Sequence, residues 1–170
     1  MAAEALPSSS PQTGLMPTLI IGWALLGGAL LLAVVAVNVV SVLGAIFDSP
    51  FPGDFELTEM GVANAAFAFL PYCQLTRSNV TADIFTQNAG PRMVAFLRLL
   101  SSIVAFLFGL LLLWRMYAGM LDQKQYNYET SILQVPIWMA FVPVLISLAL
   151  LAVAAAITLA QDLRDLSRKG

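Results

Sequence analysis

Glu56 and Glu59 stand three residues apart, and residues 60–76 after them carry no formal charge until Arg77 and the polar run Ser78, Asn79, Thr81 and Asp83. Carboxylates at this spacing share one side of a helix. At a helix start they interact favourably with the positive end of the macrodipole, or they pair with a basic group, either Lys124 or one on a neighbouring chain. With a rise of about 1.5 Å per residue, Glu59 and Arg77 lie roughly 27 Å apart, close to the thickness of a hydrocarbon core. Both charges can then reach an interface, acid at one and base at the other. Glu59 is the leading functional candidate on these grounds.

Other polar residues inside apolar stretches are few. Asn38 and Ser41 fall one helical turn apart, and Asn64 lies about a turn and a half beyond Glu59. In lipid such groups seek hydrogen-bond partners, typically contributing about 1 kcal/mol or less each. They read first as glue between helices. The chain has no His, which excludes imidazole-based metal, haem and acid–base sites within it. The single Cys73 cannot form an internal disulfide and reads as a small apolar filler. No phosphate-binding loop, nucleophile elbow or paired-Cys motif is present, so neither an enzyme nor a cofactor is expected. A net charge of −2 without a basic patch argues against nucleic acid as a partner.

The elements that must carry these residues are apolar throughout. Hydrophobic residues make up 59% of the 170 and charged ones 11%, against about 25% charged in soluble domains. Uncharged stretches run over residues 5–47, 60–76, 99–114 and 130–161. The first and last exceed the roughly 20 residues that span a bilayer. The middle two reach that length once Glu59, Arg77, Arg98 and Arg115 snorkel to the interfaces. The expectation is an all-α integral membrane protein with four transmembrane helices, at about 18–47, 56–77, 93–117 and 131–161. They form a single membrane domain over residues 18–162. Residues 1–17 read as a disordered tail rich in Pro and Ser, and 163–170 as a short tail. The first apolar run has no basic flank and is too long for a signal peptide, so it is expected to stay in the mature protein.

Charge placement gives orientation. Arg77, Arg92, Arg98, Arg164, Arg168 and Lys169 fall on the side shared by both termini, while the loop after the first helix holds Asp48, Asp54 and Glu56 with no Lys or Arg. The positive-inside rule puts both termini in the cytoplasm. Between the second and third helices, Val80, Ile84 and Phe85 share a side, which suits a short amphipathic helix lying on the membrane surface. Trp114, Tyr117, Tyr126, Tyr128 and Trp138 gather at the opposite interface as anchors. Small residues at Gly61 and Ala65 in the second helix, and at Ala152, Ala156 and Ala160 in the fourth, let another helix come close. That other helix can belong to this chain or to a separate membrane subunit.

The pattern from Glu59 through Arg77-x-x-Val80-x-x-Asp83 resembles the small membrane subunit (DctQ-like) of tripartite ATP-independent periplasmic (TRAP) transporters. That family commonly has acidic residues opening its second helix, an Arg after it, then His-hydrophobic-x-x-Asp; here Asn79 takes the place of the His. Glu129-Thr130-Ser131, followed by Pro136-x-Trp138 and Pro143, is similar to the start of the family's last helix. The resemblance covers about residues 18–162. It implies a scaffold subunit in a bacterial inner membrane, contacting lipids and a large elevator-type membrane subunit. That large subunit would hold the substrate and Na⁺ sites, and a periplasmic binding protein would deliver an organic acid. Glu56, Glu59, Asn64, Arg77, Asn79, Asp83 and Glu129 are then candidates for contact with the partner. Two other classes stand beside this one: an autonomous homo-oligomeric transporter, whose usual membrane carboxylate the first helix lacks, and a structural anchor of another membrane complex.

Overall fold

A computed structural model describes residues 15–76 and 91–169. Four helices account for most of them: α1 (Leu15–Ile46), α2 (Asp54–Leu75), α3 (Pro91–Gln125) and α4 (Trp138–Lys169). Three are long and apolar enough to cross a membrane, over Leu15–Ile46, Leu99–Gln125 and Trp138–Arg164. α2 is less apolar because Asp54, Glu56, Glu59, Asn64 and Gln74 interrupt it. The amphipathic helix expected after α2, with Arg77, Asn79 and Asp83, lies outside the described residues.

The helices pack as a row. α1 lies on α2, α2 on α4, and α4 on α3. α1 shows why a row suffices: Ile20, Gly27, Val34 and Ser41 are buried at seven-residue intervals, with Ala24 between the first two. That is one narrow seam, as in a coiled coil. Most of the rest of α1 is apolar and exposed, including Leu25, Leu32, Val35 and Val42. In the most apolar window of α1, and in that of α3, 11% of residues are buried inside the protein, against 33% for the inner helix α4. In water this surface would be untenable; in a bilayer lipid tails cover it.

Small residues let the row close up. A Cβ added at Gly27 would stand 2.7 Å from Ala68 Cβ, and one added at Gly61 would collide with Val34 Cγ2. Polar bonds cross the same contacts. Asn38 Nδ2 donates to Thr58 Oγ1 at 2.7 Å, and Ser41 Oγ donates to Asp54 Oδ2. Gln74 Nε2 donates to Thr158 Oγ1 at 3.1 Å between α2 and α4, and Trp23 Nε1 reaches Ser147 Oγ at 2.9 Å between α1 and α4. Between α3 and α4, Ser102 Oγ donates to Asp162 Oδ2 at 2.5 Å. Thr58 and Asp54 are the partners that pattern reading missed. Their four-residue spacing, set against Asn38 and Ser41 on an antiparallel neighbour, was the available signal.

α1 and α3 end in the same way. Asp48 and Asn127 take left-handed backbone, with φ of 53° and 47°. At the first end, Ser49 N donates to Gly44 O at 2.9 Å and Asp48 N to Ala45 O at 3.3 Å; at the second, Tyr128 N donates to Gln123 O at 3.2 Å and Asn127 N to Lys124 O at 3.4 Å. These paired bonds are Schellman caps, which satisfy the last carbonyls and turn the chain sharply away.

Helix limits differ from expectation at three places. α3 runs on to Gln125 rather than stopping near 117, because Arg115, Asp122 and Lys124 are exposed and cost its helix nothing. α4 continues to Lys169 instead of ending at 161. It also starts at Trp138, not 131. Residues 128–137 form a small hairpin: Ile137 N donates to Tyr128 O and Thr130 N to Val135 O, both at 3.0 Å, with Glu129 bridged to Pro136. Gln134 has φ 53°, and Pro136 has no N–H to give to a ladder begun at 131, so the helix forms only after this turn.

Candidate functional site

The chemistry gathers where the hairpin meets the start of α2. Gly53 caps α2 with φ 80°, a conformation that costs glycine little. Glu56 follows in the first turn, ahead of the charge-free run at 60–76. Its Oε1 accepts from Ile132 N at 2.7 Å and its Oε2 from Leu133 N at 3.0 Å. Three consecutive N–H groups in the hairpin turn, with the Thr130 hydroxyl, thus form a nest for one carboxylate. Partial burial acts to raise the Glu56 pKa. The donors of Leu133, Ile132, Thr130 and Ser131 outweigh it and hold the carboxyl below its ordinary 4.5. Thr130 Oγ1 in turn accepts from Val135 N at 3.1 Å, so the hairpin and its anchor share one network.

Beside this clamp lies a cavity of about 550 Å³ between α2, α3, α4 and the hairpin. Met60, Phe67, Met116, Phe141 and Val144 supply apolar wall, while Glu56, Glu59 and Glu129 stand at the end nearest the hairpin. Glu59 and Glu129 are exposed. Among the described residues, neither carboxylate has a hydrogen-bond or ion-pair partner. Asn64 also lines the cavity and is only 8% exposed. Its Nδ2 donates to Met60 O at 2.8 Å, but its Oδ1 accepts nothing from the described residues.

The candidates named from sequence separate into distinct places. Glu56, Glu59, Asn64 and Glu129 come together around this one cavity. Lys124 does not meet Glu59; its Nζ lies 5.4 Å from the centre of the Trp138 ring, a cation–π contact. Gly61 and Ala65 are buried in the α1 contact. Ala152 is buried, whereas Ala156 and Ala160 lie on the exposed side of α4, whose inward face runs instead through Leu148, Ala152, Ala155 and Thr158. The Glu56 nest was missed from sequence because its donors are backbone groups. Helix-dipole acids are common, and no residue type marks a nest.

Long apolar helices with mostly uncovered faces define a helical membrane protein. The chain matches the family described as Tripartite ATP-independent periplasmic transporters, DctQ component, over residues 37–165. It therefore belongs to the DctQ family and is the small component of a TRAP transporter. Among curated proteins and among solved structures, nothing matches.

Proposed function

We propose that this chain is the scaffold subunit of a TRAP transporter in a bacterial inner membrane. In this reading it widens the static part of a large membrane subunit, whose transport domain moves as an elevator. The large subunit carries the Na⁺ and substrate sites, and a periplasmic binding protein hands it an organic acid. Both termini are cytoplasmic, and the end bearing the hairpin and residues 47–53 faces the periplasm. α2 serves as the fourth span. Its first turn, with Glu56, stands in the periplasmic interface, its charge-free residues from 60 onward cross the hydrocarbon core, and its polar Asn64 and Gln74 are buried rather than turned to lipid.

The observation that carries this reading is the open row. A transport pathway is normally enclosed by helices and lined with polar groups. Here both edge helices leave most of their apolar surface uncovered, and polar side chains within the row bond helix to helix. Such a row is suited to being leaned upon. The test is purification of the tagged chain from native membranes in mild detergent, with mass spectrometry of its companions, followed by uptake assays in liposomes. A stoichiometric, much larger multi-span protein is expected, with uptake only when it and the binding protein are present. Solute uptake by the chain alone would overturn the scaffold role.

A further inference from the structure

We infer that the cavity beside the hairpin receives a basic side chain, arginine or lysine, from the large subunit, and is the keyed contact between the two proteins. The inference rests on the scaffold reading and adds to it the surface and chemistry of the contact. Three groups at the cavity have no partner among the described residues and can only accept: the exposed carboxylates of Glu59 and Glu129, and the buried Oδ1 of Asn64; the Ser131 hydroxyl beside them can donate or accept. No Lys or Arg lines it. A phosphate or carboxylate ligand would meet like charge throughout.

Asn64 narrows the choice further. Its unpaired Oδ1, on a side chain buried to all but 8%, costs free energy until a donor reaches it. The lipid acyl chains that would otherwise fill an apolar cleft bring no donor, and the phosphate of a phospholipid headgroup would approach the carboxylates. Among the described residues no three acidic, His or Cys side chains are grouped to hold a metal ion. What fits is a cation made only of donors on an apolar stem. Lysine and arginine have that form: the methylenes pack on wall such as Met60 and Phe67, and the charged tip lies among acceptors. The size, about 550 Å³, lies within the roughly 300–1,000 Å³ of specific small-ligand sites, ample for one side chain and the turn bearing it.

The test uses the full complex from native membranes. A photo-crosslinking phenylalanine analogue at Phe67 should join the large subunit within a few residues of a Lys or Arg; the same analogue at exposed Val39 on α1 should not join that peptide. Glu59→Gln combined with Glu129→Gln should lower co-purification of the large subunit at least ~10-fold while leaving the thermal transition of the isolated chain unchanged. Asn64→Leu should lower it in the same direction. Wild-type recovery in all these variants, or crosslinks from position 67 to phospholipid alone, overturns the inference and leaves the scaffold reading standing. If the unaltered chain brings down no larger membrane protein, the scaffold reading fails and this contact fails with it.

Discussion

Gly53 and Leu133, eighty positions apart in the chain, fill each other's space: a Cβ added at Gly53 would lie 2.8 Å from Leu133 Cδ1. The glycine also holds φ at 80°, so it is required twice, for backbone conformation and for room. Gly53→Ala should therefore destabilise the chain by about 2–4 kcal/mol, adding left-handed strain to overpacking. Thermal unfolding in detergent measures this. Adding Leu133→Ala should recover the overpacking part and leave the strain.

Glu56 should make stability depend on pH. Its folded-state pKa lies below the ordinary 4.5 because hydrogen-bond donors favour the charged form. The contribution is thus complete above the unfolded-state value and disappears as pH falls through the folded-state value. The melting temperature should drop on acidification below about 4.5, and Glu56→Gln should flatten that part of the profile while lowering stability at neutral pH. A parallel profile in Glu56→Gln would show that other groups cause the drop.

The seam between α1 and α2 should be intolerant of volume. Gly61→Leu drives a side chain into Val34, and overpacking of this kind costs about 1–3 kcal/mol. Val34→Ala in the same chain should relieve much of it. Gly22 and Gly28 meet nothing when a Cβ is added, so Gly22→Ala and Gly28→Ala should leave the melting temperature unchanged or slightly raised.

Trp23→Phe removes the bond to Ser147 and keeps most of the ring. Such bonds in membrane helices are worth about 0.6 kcal/mol and at most about 1.7. A double-mutant cycle with Ser147→Ala should return a coupling in that range, and a value near zero would mean that Trp23 acts by packing alone.

Helix identity was legible from charge-free runs because nothing but a helix or a barrel spans lipid. The family motifs were legible because Glu59 and Glu129 are side-chain signals that survive in a string. Helix limits were less so. The Schellman cap at Asn127 is a backbone event at a residue that favours but does not dictate left-handed φ, and Gln134 carries no such signal, so residues 131–137 read as the continuation of an apolar run. The inward face of α4 was misplaced for another reason. Ala152, Ala154, Ala155, Ala156 and Ala160 are chemically alike, and only the neighbours α2 and α3 decide which of them are covered. The clustering of Glu56, Glu59, Asn64 and Glu129 required the parallel placement of α2 and α4, which no local pattern encodes.

That parallel placement has a mechanical meaning. Glu56 ties the start of α2 to the hairpin ahead of α4, and Gln74 ties its end to Thr158. Two helices fastened at both ends cannot slide past each other without breaking both fastenings together. The pair behaves as a braced strut, stiff against shear along its own axis. In the scaffold role proposed above, a partner travelling along that axis meets a wall that holds its height.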